Sequence, residues 1–138
     1  MGEPRDKEEI IRRLREVLPT SPSLRLAYVY GSFLSREDFR DIDIALLADD
    51  RNDQDAFDEY ASDAGDRLEE SLDFQCECDV RVLNDLPVWL KFEIISTGMP
   101  LYVRNDDDRI DFETQVLVEY QDMKFMYDLF DREYLAQA

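Results

Sequence analysis

The sequence has no histidine and only three lysines, Lys7, Lys91 and Lys124. It has two cysteines, Cys76 and Cys78, separated by one residue, and no apolar run of membrane-spanning length. Each scarcity excludes something. Without histidine nothing completes a zinc site around the cysteine pair, and two cysteines on one strand face would make a strained disulfide. They are expected to be buried thiols. Without a long apolar segment, no transmembrane helix is expected. The stretch "MGEPRDKEEIIRRL" is charged from the start and lacks a signal-peptide core. Arg5 and Asp6 stand where a myristoylation signal wants a small hydroxyl residue. A soluble, cytoplasmic protein is therefore expected.

Positive charge is also scarce. Sixteen basic residues face 34 acidic ones, for a net charge of −18. That argues against general nucleic-acid binding, which depends on cationic neutralisation of phosphates. Any polyphosphate ligand would need a cation to bridge it to this surface. Aspartate outnumbers glutamate and arginine outnumbers lysine. Self-repulsion on this scale is a lever used by halophilic proteins, so a source living in high salt is expected.

What is present suffices for one core. With 138 residues, 44% of them hydrophobic, the expectation is a single domain over 1–138. Residues 4–18 read as a helix, with Pro4 in its first turn and Ile10, Ile11, Leu14 and Val17/Leu18 at helical spacing. "PTSPS" breaks it. "LRLAYVY", Leu24 to Tyr30, reads as a buried strand bounded by Gly31, and "SFLSREDF" as a loop or one or two helical turns. "DIDIALLA", Asp41 to Ala48, is a second strand, ended by "DDRND". Residues 53–72 form an amphipathic helix with Phe57, Tyr60/Ala61, Ala64, Leu68 and Leu72 along its stripe. Residues 75–83 alternate as a third strand. The next helix is expected to have Asn84 as N-cap, Pro87 in its first turn and Gly98 at C′. A short strand, Met99 to Val103, is followed by the acid run "NDDD", after which a long amphipathic helix runs to about Leu135. The order predicts an α+β domain with a small mixed β-sheet flanked by helices.

Strand parity then raises a chemical question. Side chains two apart share a face, so Asp41 and Asp43 lie together, opposite Ile42, Ile44 and Leu46. In the third strand Glu77, Asp79 and Arg81 share a face, opposite Cys76, Cys78, Val80 and Val82. If the two strands are neighbours, Asp41, Asp43 and Asp79 converge, and clustered carboxylates want a hard divalent cation such as Mg²⁺. Asp-x-Asp alone carries little, because it recurs at Asp53/Asp55 and Asp106/Asp108, where a helix start and a solvated loop explain it. The pattern gains weight from what precedes it. Gly31 allows close backbone approach, and Ser32 opens a helical turn whose N–H groups and hydroxyl can hold phosphate oxygens. A phosphate-holding turn beside a metal-holding strand pair is the layout of phosphoryl or nucleotidyl transfer.

With these residues in view, "GSFLSREDFRDID" resembles the Gly-Ser…Asp-x-Asp signature of the DNA polymerase β-like nucleotidyltransferase superfamily. With "CDVRVL" one helix later, the chain is most similar to the minimal nucleotidyltransferases, from about Leu24 into the long helix with "YQD", Tyr120 to Asp122. The spacing from Gly-Ser to the first aspartate is shorter than the family's commonest form. The resemblance implies a polymerase β palm-like fold. It implies that Gly31 and Ser32 hold a triphosphate, that Asp41 and Asp43 coordinate two Mg²⁺ ions, and that Asp79 binds the catalytic metal and helps deprotonate an acceptor hydroxyl. Members of this size resemble antitoxins that move AMP from ATP onto a tyrosine of a HEPN-type RNase toxin. A small hydroxylated acceptor such as an aminoglycoside, or neutralisation by binding alone, are the alternatives.

Other residues are candidates with simpler explanations. Arg36 and Arg40 could offset triphosphate charge or be solvated loop arginines. Arg81 is a salt-bridge partner for Asp79 or a ligand contact, and Glu77 an auxiliary acid or a solvent-facing position. Trp89, Phe92 and the last helix's aromatics read as core, Tyr120 among them, with Asp122 exposed. The last helix nonetheless has more apolar positions than a small sheet needs, which suits a homo-oligomer or toxin contact.

Overall fold

The computed structural model describes residues 6–49 and 54–137, with the side chains of 54, 55 and 137 outside the description. The elements are α1 (Lys7–Val17), β1 (Leu24–Tyr30), α2 (Ser32–Ser35), β2 (Asp41–Ala48), α3 (Gln54–Ser71), β3 (Glu77–Val82), α4 (Val88–Thr97), β4 (Met99–Val103) and α5 (Asp106–Gln137). Single 3₁₀ turns follow α1 at Leu18–Thr20 and β3 at Leu83–Asp85. The four strands form one mixed sheet in the order β3-β2-β1-β4. β1 pairs antiparallel with β2 and β4, and β2 pairs parallel with β3.

Both faces of the sheet are apolar along most of their length. One face presents Ala27, Val29, Ile42, Ile44 and Leu46 to α1, α2 and α3, through Ile10, Leu14, Phe33, Leu68 and Leu72. The other presents Leu26, Tyr28, Ala45 and Leu47 to α4 and α5, through Ile94, Phe112 and Val116. Asp41 and Asp43 belong to this second face by parity. They lie at the start of β2, beyond the apolar stretch that the two helices cover.

Several local expectations give way to tertiary demands. α1 is capped by Asp6, whose carboxylate accepts from the Glu8 N–H at 3.0 Å. Pro4 lies outside the described residues, as do residues 50–53 of the "DDRND" stop and Asp53 of the next helix. Gln75 and Cys76 precede the third strand. Asn84 is not the N-cap of α4: it accepts from the Ala48 N–H at 3.1 Å and donates to the Ala48 carbonyl at 3.0 Å, tying the end of β2. Pro87 holds the cap position instead, outside the first turn. Gly98 ends α4 with φ −80°, so left-handed freedom is not its purpose. A Cβ there would lie 2.5 Å from the Ile94 carbonyl oxygen and 3.0 Å from that of Val29, so close approach of α4's end to β1 is what requires glycine. Asp106 and Asp108 open α5 rather than occupying a solvated loop, with Asn105 accepting from the Asp108 N–H at 2.8 Å. Trp89 is exposed, because α5 covers α4 at Phe92, which stacks on Tyr120 at 3.7 Å. Tyr127 and Phe130 are exposed as well, since α5 runs past the sheet that buries Phe112 and Val116. The cysteines are half-buried and not bonded to each other. Among the described residues no helix is long and apolar enough to cross a membrane.

Candidate active site

The site begins where β1 turns into α2. Gly31 has φ +78° and ψ −150°, a conformation essentially reserved for glycine. A Cβ there would sit 2.4 Å from Asp43 Oδ2. The missing side chain thus lets the Asp43 carboxylate lie directly against the backbone of the turn. Phe33, fully buried in the first core, anchors the turn from beneath. It meets Phe39 edge-on at 4.8 Å. Lys7 lies over both rings, 5.5 and 5.7 Å from their centroids, and donates to the Arg36 carbonyl at 2.7 Å. The loop between the turn and β2 is therefore held by the start of α1.

The acids are brought together by strand register. Parallel pairing of β2 with β3 sets Asp41 opposite Glu77 and Asp43 opposite Asp79. Antiparallel pairing of β1 with β2 sets Tyr30 opposite Asp43. Directly paired residues share a face, so five functional groups line one patch. The Asp43 carboxyl is pushed above the usual carboxylate range, first by burial, then by the negative charge of Asp79, with Asp41 adding to it and Arg81 opposing. Tyr30 is pushed up to about 12, chiefly by burial, with Asp43, Asp79 and Glu93 of α4 reinforcing and Arg81 opposing. Arg81 reaches Asp79 at 4.0 Å, both side chains half-exposed, so this pairing is loose.

Ser32, Arg36, Arg40, Asp41 and Asp43 line one open cleft of about 440 Å³, together with Asp38 and Phe39. Gly31 borders it through Asp43, and Asp79 adjoins it across the β2–β3 pairing. The guanidinium of Arg36 is engaged by Asp38 through two hydrogen bonds of 3.0 Å, while Arg40 is an exposed cleft residue. Among the described residues, no three acidic or thiol side chains stand so as to hold an ion as a group. Tyr30, Asp38 and Phe39 are members of the site that sequence reasoning missed. Strand parity places Tyr30 with Tyr28, but only the β1–β2 register places it opposite Asp43.

The four-stranded mixed sheet thus presents paired carboxylates beside a Gly-Ser turn. Residues 12–107 match the family described as polymerase beta, nucleotidyltransferase, and the chain belongs to that family. Its fold is shared by solved structures. One is a chain from a toxin–antitoxin complex crystallised with AMP-PNP, 26% identical at a TM-score of 0.64, with 94% of this chain and 98% of that one covered. Another is a chain from an MntA–HepT toxin–antitoxin complex, 25% identical at a TM-score of 0.60, with 94% and 96% covered. A third comes from a tri-AMPylated Shewanella oneidensis HEPN toxin in complex with an MNT antitoxin; it is 24% identical at a TM-score of 0.61, with 97% and 99% covered, and is alike in fold. No curated protein matches the sequence.

Proposed function

We propose that this protein is a Mg²⁺-dependent adenylyltransferase that moves AMP from ATP to a tyrosine hydroxyl of a HEPN-type toxin and so acts as its antitoxin. The observation that carries the proposal is the pairing of Asp43 with Asp79, with Asp41 on the same face, against a turn that only Gly31 permits. Family membership supports the reaction class, and the toxin–antitoxin complexes of similar fold support the partner.

The donors fit a hard divalent cation in kind, since all three are carboxylates on one face of rigid strands. Asp41, Asp43 and Asp79 would hold it, and two such ions would supply charge neutralisation at the triphosphate and at the attacking and leaving oxygens. The chain's own groups do the rest. The Ser32 hydroxyl and the backbone of the Gly31 turn would position phosphate oxygens, with Arg40 placed to offset their charge. Arg36 would contribute only by leaving Asp38. The acceptor hydroxyl oxygen bonds to the α-phosphorus while the bond to the β-phosphate's bridging oxygen breaks and pyrophosphate leaves. Asp79 would take the hydroxyl proton. The cleft is open, which suits an acceptor carried on a docked macromolecule.

Incubation with α-labelled ATP, Mg²⁺ and the protein encoded by the neighbouring reading frame should label that protein on tyrosine, and chelation of Mg²⁺ should abolish labelling. Equal labelling by wild type and Asp43→Asn would overturn the catalytic assignment.

A further inference from the structure

Helix α5 divides into two halves. Up to Tyr120 its stripe is spent on the domain: Phe112 and Val116 are buried and Tyr120 stacks on Phe92. The same stripe then continues at alternating three- and four-residue steps through Met123, Tyr127, Phe130 and Tyr134, half-buried at Met123 and exposed beyond it. Tyr127, Phe130 and Tyr134 are 63%, 67% and 68% exposed. With Met126, the first three of these four line an apolar depression. A second stripe, Val118, Phe125 and Leu129, runs along a different side of the same helix and is likewise exposed. Exposed aromatic surface at Tyr127, Phe130 and Tyr134 alone comes to roughly 400 Å², if a covered aromatic buries about 200 Å². That already matches the largest apolar patch on a typical monomer, and the second stripe adds to it on the helix's other side.

Three features narrow the occupant. A second copy would bring −18 against −18, and a two-helix contact would cover only one stripe. A helix apolar on two sides is built to be surrounded. Between residues 122 and 134 the polar positions carry four acids against two bases, Lys124 and Arg132. We infer that the projecting half of α5 is the docking element for the partner toxin, inserting as a helix into an apolar groove rimmed by lysine or arginine. This rests on the partner assignment above and names the surface that serves it.

The test measures binding separately from transfer. Titration of the protein from the neighbouring reading frame with wild type, with the double variant Tyr127→Ser/Phe130→Ser, and with Phe74→Ser should show affinity lost by about 100-fold or more in the double variant, on the scale of two interface hot spots, and unchanged in Phe74→Ser. Phe74 is an exposed aromatic beyond α3, in the opposite helical layer. Both substituted tyrosine and phenylalanine are exposed, so folding is retained, and circular dichroism checks it. Undiminished binding by the double variant overturns the inference. So does a wild-type homodimer that the double variant dissolves while partner binding persists. Asp43→Asn should bind like wild type yet fail to label, so loss of the transfer reading and loss of the docking reading are told apart.

Discussion

At the scale of single residues, Gly31 and Asp43 act as one device. Alanine at Gly31 would meet both a positive φ and a carboxylate oxygen 2.4 Å from its Cβ. Gly31→Ala is expected to cost about 1–3 kcal/mol of stability, read by urea unfolding, and to lower transfer because Asp43 must move. Asp43 itself is held at an energetic cost. Its folded pKa lies above its unfolded value, so between the two values the native state holds the extra proton and stability falls as pH rises. Above that window the penalty is constant. Asp43→Asn removes it, so this variant should be at least as stable as wild type at neutral pH, and its advantage should shrink as pH drops through the window. Transfer should fall by more than about 100-fold, since even outer-shell partners of a metal site cost about 10–100-fold. Paired melting curves and labelling assays check both halves; a destabilised Asp43→Asn protein would contradict the assigned shift.

At the scale of elements, the ends of strands decide the site's rigidity. Asn84 replaces a missing strand neighbour for Ala48, satisfying both its N–H and its carbonyl. Asn84→Ala should cost about 1–3 kcal/mol by leaving buried backbone groups unpaired, with faster amide exchange at Ala48 as its local signature. The role was illegible in the sequence, where an asparagine ahead of a proline reads as a helix cap. Its true partner lies 36 residues away, and only packing brings the two together. Parity, by contrast, is local, so the acid faces of β2 and β3 could be read directly, whereas their meeting hung on the two strands being neighbours, which the β2–β3 pairing supplies. Element order and the mixed sheet followed from the same alternation. Register between strands could not be read, and with it went Tyr30. The length of α5 was legible from its periodicity. That its later aromatics stand in solvent was not, because periodicity marks an apolar stripe without saying what covers it.

At the scale of the whole molecule, charge is the dominant long-range term. Local ion pairs exist: Arg104 bridges Asp49 at 3.2 Å and Asp108 at 2.9 Å, and Arg25 reaches Asp108 at 3.0 Å. Salt weakens these attractions, and an argument from pairs alone would have stability fall as ionic strength rises. The balance runs the other way, because 34 acids face 16 bases and the excess acids repel one another. Exposed pairs contribute little individually, whereas a net charge of −18 repels itself over the entire surface. Raising salt from 0.1 M to 1 M shortens the screening length from about 10 Å to about 3 Å, which removes repulsion between neighbouring patches before it removes contacts at 3 Å. The melting temperature is therefore expected to climb from low salt to molar KCl. Thermal melts across a KCl series check it, and a flat or falling curve would mean that the acids are a solvated coat without energetic consequence.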